Sequence, residues 1–274
     1  MSKNGLTMTI VFVAESANYG EGLGNISNIK KMTRGNACQY SYISRQAIRY
    51  NIVQQAEWDN TPVEDKSGVV QFGYMKTMAK DDNARGGAST RSAVARLSNA
   101  ISLEPYQGEL EFLTNMGLAK RQNLDNGIAQ SEIHRSYYAY TISVDLDRVG
   151  IDGEINVSKE EKAKRVKILL ETVQYLYRDI RGRRENLSPL FIIGGNYERK
   201  NPFFENIVKI DNNMINVDTL VEMKESSEDL ENSTIVGVTS GIFNNDSQIK
   251  EKLGAVTIAE AFEEFKKKVD EYYA

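Results

Sequence analysis

Residues 137–144, Tyr-Tyr-Ala-Tyr-Thr-Ile-Ser-Val, run into the best-defined helical pattern of the chain, and this pairing constrains the fold most. Aromatic and β-branched side chains in a short run predict a strand. Ser158, followed three residues later by Glu161, has the form of a capping box. Val166, Leu169, Leu170, Val173, Leu176 and Ile180 then recur at helical spacing, and Gly182 is a stop signal. The spacing predicts a helix over residues 158–182.

Further segments surround this unit. Residues 7–14 predict a strand, and residues 15–28, with Gly20, Gly22 and Gly24, predict a loop. Residues 44–56 predict a short helix with Ser44 as N-cap and Ala47, Ile48, Ile52 and Ala56 on one face. Residues 57–134 lack sustained periodicity and contain Arg85-Gly86-Gly87 and Asn126-Gly127, which predicts an insertion with long loops. Residues 190–193, 207–210 and 234–238 are short strand candidates. Thr257 and Glu260 form a second capping box, opening a terminal helix with Ile258, Ala261, Phe262, Phe265 and Val269 inward. This order predicts an α+β fold compatible with a ferredoxin-like βαββαβ core carrying inserts.

Composition removes several chemistries. Among 274 residues there is one cysteine, Cys38, and one histidine, His134. An intrachain disulfide, a Cys/His zinc site and a redox CxxC are excluded. The longest apolar run is the five residues 10–14, against the ~20 needed to span a bilayer. Lys3 precedes residues 8–14, but Thr9 interrupts that run and Glu15 and Asn18 follow it, which argues against a signal peptide. A cytoplasmic chain without a membrane segment is expected.

Charge is distributed unevenly. The chain holds 34 basic and 38 acidic residues, net −4. Residues 205–274 contain 7 Lys/Arg and 15 Asp/Glu, whereas residues 1–204 contain 27 and 23. Residues 22–56 carry Lys30, Lys31, Arg34, Arg45 and Arg49 with no acid at all. The global balance argues against nucleic-acid binding; the local one argues for it.

Other motifs weigh little beside that stretch. Gly20, Gly22 and Gly24 follow a strand, but Asn25 stands where a GxGxxG fingerprint would continue, and no P-loop motif occurs. Asp145 and Asp147 lie on one side of a strand end without a third metal ligand, and solvated residues are the expectation. His134 lacks a catalytic partner motif, and Cys38 reads as a small buried or interface residue.

The basic stretch suits a polyanion backbone. Ser44 at a helix start exposes backbone N–H groups to a phosphate. Arg45 and Arg49, four apart, share one helical face and are placed to clamp successive phosphates. Lys30, Lys31 and Arg34 approach from a preceding loop, and Tyr40, Tyr42 and Tyr50 offer stacking surfaces. The excess of 14 Tyr over 9 Phe fits wet aromatic surfaces better than a buried core.

Lys31 through Gly35, a spacer, and then Tyr42-Ile-Ser-Arg-Gln-Ala-Ile-Arg49 resemble the guide-binding signature of the DevR family, the backbone subunits of CRISPR-associated Cascade complexes. The first strand, Phe72-Gly-Tyr-Met75, Ala100-Ile-Ser-Leu103, residues 138–147 and Ile193-Gly-Gly-Asn196, read as a turn, extend the resemblance over nearly the whole chain. The length resembles the type I-B variant. The resemblance implies one domain over residues 1–274: an RNA-recognition-like palm, a finger-like insertion over about 57–136 and a thumb at 183–206. It implies copies polymerised head to tail along CRISPR RNA, contact with other Cascade subunits, and target DNA met through the guide. Matched by position, Lys31, Ser44, Gln46 and Arg49 fall where the family contacts the guide backbone. Lys30, Arg34 and Arg45 join them on charge, Arg45 standing where relatives of that family can carry a small residue. Gly194, Gly195 and Asn196 correspond to the thumb base.

No RNP1 octapeptide occurs, which suits a protein gripping phosphate and sugar rather than reading bases. Type III relatives cut RNA with a loop aspartate; residues 22–56 contain none, so no nuclease activity, metal or cofactor is expected. The rival readings are a metal-dependent ribonuclease of the same superfamily, using Asp145 and Asp147, and a DNA-binding regulator, for which no helix-turn-helix is visible.

Overall fold

The computed structural model describes residues 3–23, 26–35, 37–58, 75–77, 88–90, 93–152 and 155–274. The chain opens with β1 (Gly5–Ala14), β2 (Tyr19–Leu23), β3 (Ile26–Ile29), β4 (Lys31–Arg34), β5 (Cys38–Ile43) and α1 (Arg45–Gln55). Next come β6 (Met75–Thr77), β7 (Ala88–Thr90), β8 (Ala95–Leu97), β9 (Ala100–Ser102), β10 (Glu109–Thr114), α2 (Met116–Gln122), β11 (Ile128–Ile133) and β12 (Ser136–Asp145). The hairpin β13 (Ile151–Asp152) and β14 (Ile155–Asn156) leads to α3 (Lys159–Gln174), β15 (Tyr177–Ile180), β16 (Arg183–Asn186) and β17 (Phe191–Tyr197). The remainder is β18 (Ile210–Asp211), β19 (Met214–Ile215), α4 (Val217–Lys224), α5 (Glu228–Ser233), β20 (Thr234–Val238), α6 (Asp246–Leu253) and α7 (Ile258–Tyr273).

The main sheet runs β20-β17-β1-β12-β9-β5-β4, with β8 also paired to β12. Within it, β17-β1-β12-β9 are antiparallel neighbours, α1 precedes β9, and α3 joins β12 to β17. That is the ferredoxin-like βαββαβ arrangement, extended by one strand beyond β17 and two beyond β9. Strand periodicity separates two apolar faces. Leu6, Met8, Ile10 and Phe12 of β1 meet Ile48 and Ile52 of α1, Leu169 and Val173 of α3, and Phe262 and Phe265 of α7. Val11, Phe191 and Ile193 face the opposite way, against Leu220, Leu230, Ile249 and Leu253. Each fully buried side chain of this size stabilises the fold by roughly 1.5–3 kcal/mol.

Most expected elements form, and the exceptions have physical reasons. Ser44 caps α1 by accepting from the Ala47 N–H, and Thr257 and Glu260 make a complete reciprocal box at α7. At α3 the box is half formed: Ser158 accepts from Glu161 N–H, while the Glu161 carboxylate takes Arg165 Nε at 2.8 Å. That helix stops at Gln174. Residues 177–180 leave it to pair with β16, because Arg181 and Gly182 both take positive φ (50° and 78°) and close a two-residue hairpin. Within the expected 15–28 loop, residues 19–23 and 26–28 are instead strand, β2 and most of β3, paired antiparallel and sharing a second sheet with β11 and β10. Of residues 207–210 only Ile210 enters a strand. Tyr138, Tyr140 and Tyr197 are core residues rather than wet surface.

Residues 193–196 form the middle of β17 instead of a turn. A Cβ on Gly194 would overlap the Thr7 carbonyl of β1, and one on Gly195 the Ser233 carbonyl, so the two glycines admit close backbone approach. Part of the 57–136 region belongs to the main sheet through β8 and β9, and part forms the β10–α2–β11 extension of the second sheet. Gly24, Asn25, residues 72–74 and Arg85-Gly86-Gly87 lie outside the described residues.

Candidate nucleic-acid interface

The C-terminal segment covers part of the second sheet face. It packs on β17, β20 and β1 and reaches β12 at Tyr137, and an open cleft of about 480 Å³ lies beside the rest of β12, β9 and the β4–β5 hairpin. The floor carries Thr9 and Thr141, whose hydroxyls pair at 2.8 Å, with Ala139 and Ile101. One wall presents Arg34, Tyr40 and Arg45; the other presents Glu205, Asn206, Lys209 and Asp211. Arg45 also borders a second cleft, about 350 Å³, lined by Gln46, Arg49 and Arg96. The two clefts therefore meet at Arg45.

Local structure explains this alignment. The amide of Arg45 donates to Asn99 Oδ1 at 2.9 Å, which ties the helix start to the β8–β9 connection. Arg45, Gln46 and Arg49 then share a face of the helix as their spacing requires. The Arg34 guanidinium lies 5.6 Å from the Tyr40 ring centroid, a cation–π pair at the hairpin. Arg49 is half-buried, and desolvation lowers its pKa from the usual guanidinium value.

The remaining candidates are placed differently. Ser44 is committed inside the protein: its hydroxyl donates to Asn18 Oδ1 at 2.6 Å and accepts from Ala47 N–H. The amides of Arg45, Ala47 and Ile48 are also satisfied, so the expected open phosphate cradle at this helix start is largely closed. Lys30 and Lys31 belong to no loop. Lys30 joins β3 to β4 and its carbonyl accepts from Tyr42 N–H, while Lys31 opens β4 and pairs with Glu132. Neither lysine lines the clefts. Gly194, Gly195 and Asn196 lie in the buried strand β17; the Asn196 side chain donates to the Lys268 carbonyl on the helical side.

Three sites escaped the sequence reading. Asn99, Arg96 and Lys209 border the clefts, yet they sit far along the chain from residues 22–56 and carry no motif. Asp145 is buried and bonded to Arg96 at 3.0 Å and Arg148 at 3.3 Å, not solvated as expected. Asp147 pairs with Lys200. His134 is buried, its Nδ1 bonded at 2.7 Å to Ser41, whose hydroxyl also meets Tyr138. Among the described residues, no group of three or more His, Cys, Asp or Glu is placed to hold a metal, and no helix is long and apolar enough to cross a membrane.

Comparison with known proteins bears on the fold and the family. Two solved chains match over 98% of this chain and 98% of their own. One is from a CRISPR RNA-guided surveillance complex, with a TM-score of 0.59 at 13% identity. The other is from a CRISPR RNA-guided surveillance complex in a pre-nicking state, with a TM-score of 0.61 at 9% identity. At such identities the likeness is one of fold. No curated protein matches the sequence. The family described as CRISPR-associated negative auto-regulator DevR/Csa2 matches residues 6–71 and 60–218. The chain therefore belongs to the CRISPR-associated DevR/Csa2 family.

Proposed function

We propose that this protein is the RNA-binding backbone subunit of a type I CRISPR surveillance complex, of the I-B kind, acting in the cytoplasm. Copies polymerise head to tail along CRISPR RNA and leave its bases exposed for pairing with target DNA. The observation that carries this reading is the pair of clefts meeting at Arg45, with Arg34, Gln46 and Arg49 along them. Guanidinium groups on two adjoining clefts suit the regularly spaced phosphates of one strand and require no particular base. Lys30, which lines neither cleft, adds its charge to the basic field around them. Residues 205–274, net −8, offer a neighbouring copy a surface complementary to its basic clefts. The finger function belongs to the 57–136 region. The thumb function belongs to the 183–206 region, with Gly194, Gly195 and Asn196 as its buried root.

A non-catalytic role is supported by Asp145 and Asp147, each held by basic side chains rather than open to a metal. The test is titration of single-stranded repeat–spacer RNA across a salt series. Substituting Arg45 and Arg49 by alanine is expected to flatten the log–log salt slope by ~0.7 per lost phosphate contact. An unchanged slope overturns the residue assignment. Tighter binding to duplex DNA than to RNA would favour the regulator reading, which the family's description carries. Metal-dependent RNA cleavage lost on replacing Asp145 and Asp147 would overturn the non-catalytic reading.

A further inference from the structure

We infer that Lys31 and Glu132 form a strut that positions the β4–β5 hairpin for RNA, making Lys31 a positioning residue rather than a phosphate ligand. The inference rests on the RNA-binding reading above and changes the role of one residue within it.

Strand geometry separates Lys31 from the clefts. In β4, residues three apart point to opposite faces, so Arg34 reaches the cleft while Lys31 points away from it. Lys31 Nζ is 2.9 Å from both oxygens of Glu132 on β11 and stands 4.2 Å from the Tyr106 ring centroid. The Lys31 and Glu132 side chains retain only 21% and 17% of their exposure.

Glu132 is satisfied from several directions at once. The amide of Ile29 donates to Oε2 at 2.8 Å, and the Tyr106 hydroxyl is a further partner. Burial pushes this carboxyl up, but the bonds from Lys31, Ile29 and Tyr106 hold it below its ordinary value, so it stays ionised. The amide of Tyr106 in turn donates to the Gln39 carbonyl at 2.7 Å. Both strands of the hairpin bearing Arg34 and Tyr40 are therefore anchored: β4 through Lys31–Glu132 and β5 through Gln39–Tyr106.

The relative costs favour the strut. Moving Lys31 to a phosphate would leave a mostly buried carboxylate without its cation. The exchange would give back only one contact screened by solvent and salt. An ammonium already shared between two carboxylate oxygens and an aromatic face has little to gain by leaving.

The test is RNA titration over a salt series with Lys31→Ala, Glu132→Gln and the exchange K31E/E132K. If the pair is a strut, either single change weakens binding about tenfold, in line with coupled polar pairs, and leaves the salt slope unchanged. The exchange recovers most of that loss. Tighter binding by Glu132→Gln overturns the strut, because it would mean that Glu132 had been withholding Lys31 from RNA. A slope flattened by ~0.7 in Lys31→Ala, or an exchange variant as weak as Lys31→Ala although folded, also overturns it. Should the exchange variant not fold, Glu132→Gln alone decides between the two. A wild-type protein without salt-dependent RNA binding would sink the RNA reading instead. The strut would then be judged by whether the Tm losses of the single changes are coupled in K31A/E132Q, additive losses overturning it.

Discussion

Asn99 accepts the Arg45 amide at 2.9 Å, and by that bond the first residue of α1 hangs from the connection between β8 and β9. Ser98 beside it is bonded to Thr141 through backbone and hydroxyl, at 3.0 and 2.9 Å, so the support is part of the sheet. Arg45 reaches both clefts because a residue 54 positions away sets where its helix starts. Asn99→Ala should cost about 1 kcal/mol of stability, the usual worth of one such bond. It should also weaken RNA binding without altering the salt slope. Asn99→Asp keeps the acceptor and should retain more of both, as read by urea unfolding and RNA titration.

Arg178 and Glu185 form a buried pair across the β15–β16 hairpin, with Nη2 and Oε2 2.6 Å apart. Glu185 also accepts the amides of Glu15 and Ser16, which ties the hairpin to the end of β1. Removing one partner leaves the other charge buried, so Arg178→Ala or Glu185→Ala should cost about 3–5 kcal/mol in denaturant titration. Replacing both by apolar residues of similar volume should recover part of that loss.

Gly194→Ala and Gly195→Ala should each destabilise by roughly 1–3 kcal/mol or more, since the added methyl meets backbone that cannot yield without moving β1 or the end of α5. Thermal unfolding measures this directly. A protein that keeps full stability with alanine at both positions would show that β17 does not approach β1 so closely.

His134 links stability to pH. Desolvation holds its pKa below the ordinary 6.5, against the weaker opposing pull of Glu104, Pro105 and Glu109. The unfolded chain therefore binds the proton more readily than the folded one. The stabilising contribution is complete above about pH 6.5 and declines as pH falls toward the lower folded value. Wild type should lose more stability than His134→Asn between pH 7.5 and 5.5 in paired urea titrations.

Local patterns carried much of this architecture. The alternation in β1 and β12, the caps at Ser44 and Thr257, and the stripe Leu169–Leu170–Val173 were legible because each signal lies within a few neighbours. The helix expected to reach Gly182 illustrates the limit. Ile180 continues helical spacing, yet Arg181-Gly182 is an equally local hairpin signal, and pairing with β16 prevails. The glycines at 194 and 195 carry the opposite ambiguity, since a buried strand passing close to its neighbours needs them as much as a turn does.

The sequence by itself determined the α+β order, the helix starts, and the acid-free stretch in which the candidate interface lies. It determined these because short-range periodicity and capping depend on residues within about one turn or one strand. The tertiary structure alone decided which of those cations are open. Lys31 is taken by Glu132, 101 positions away, while Arg34, three residues on, borders the cleft. Charge availability depends on what lies across the fold, and no spacing along the chain encodes a partner brought there by strand pairing and burial.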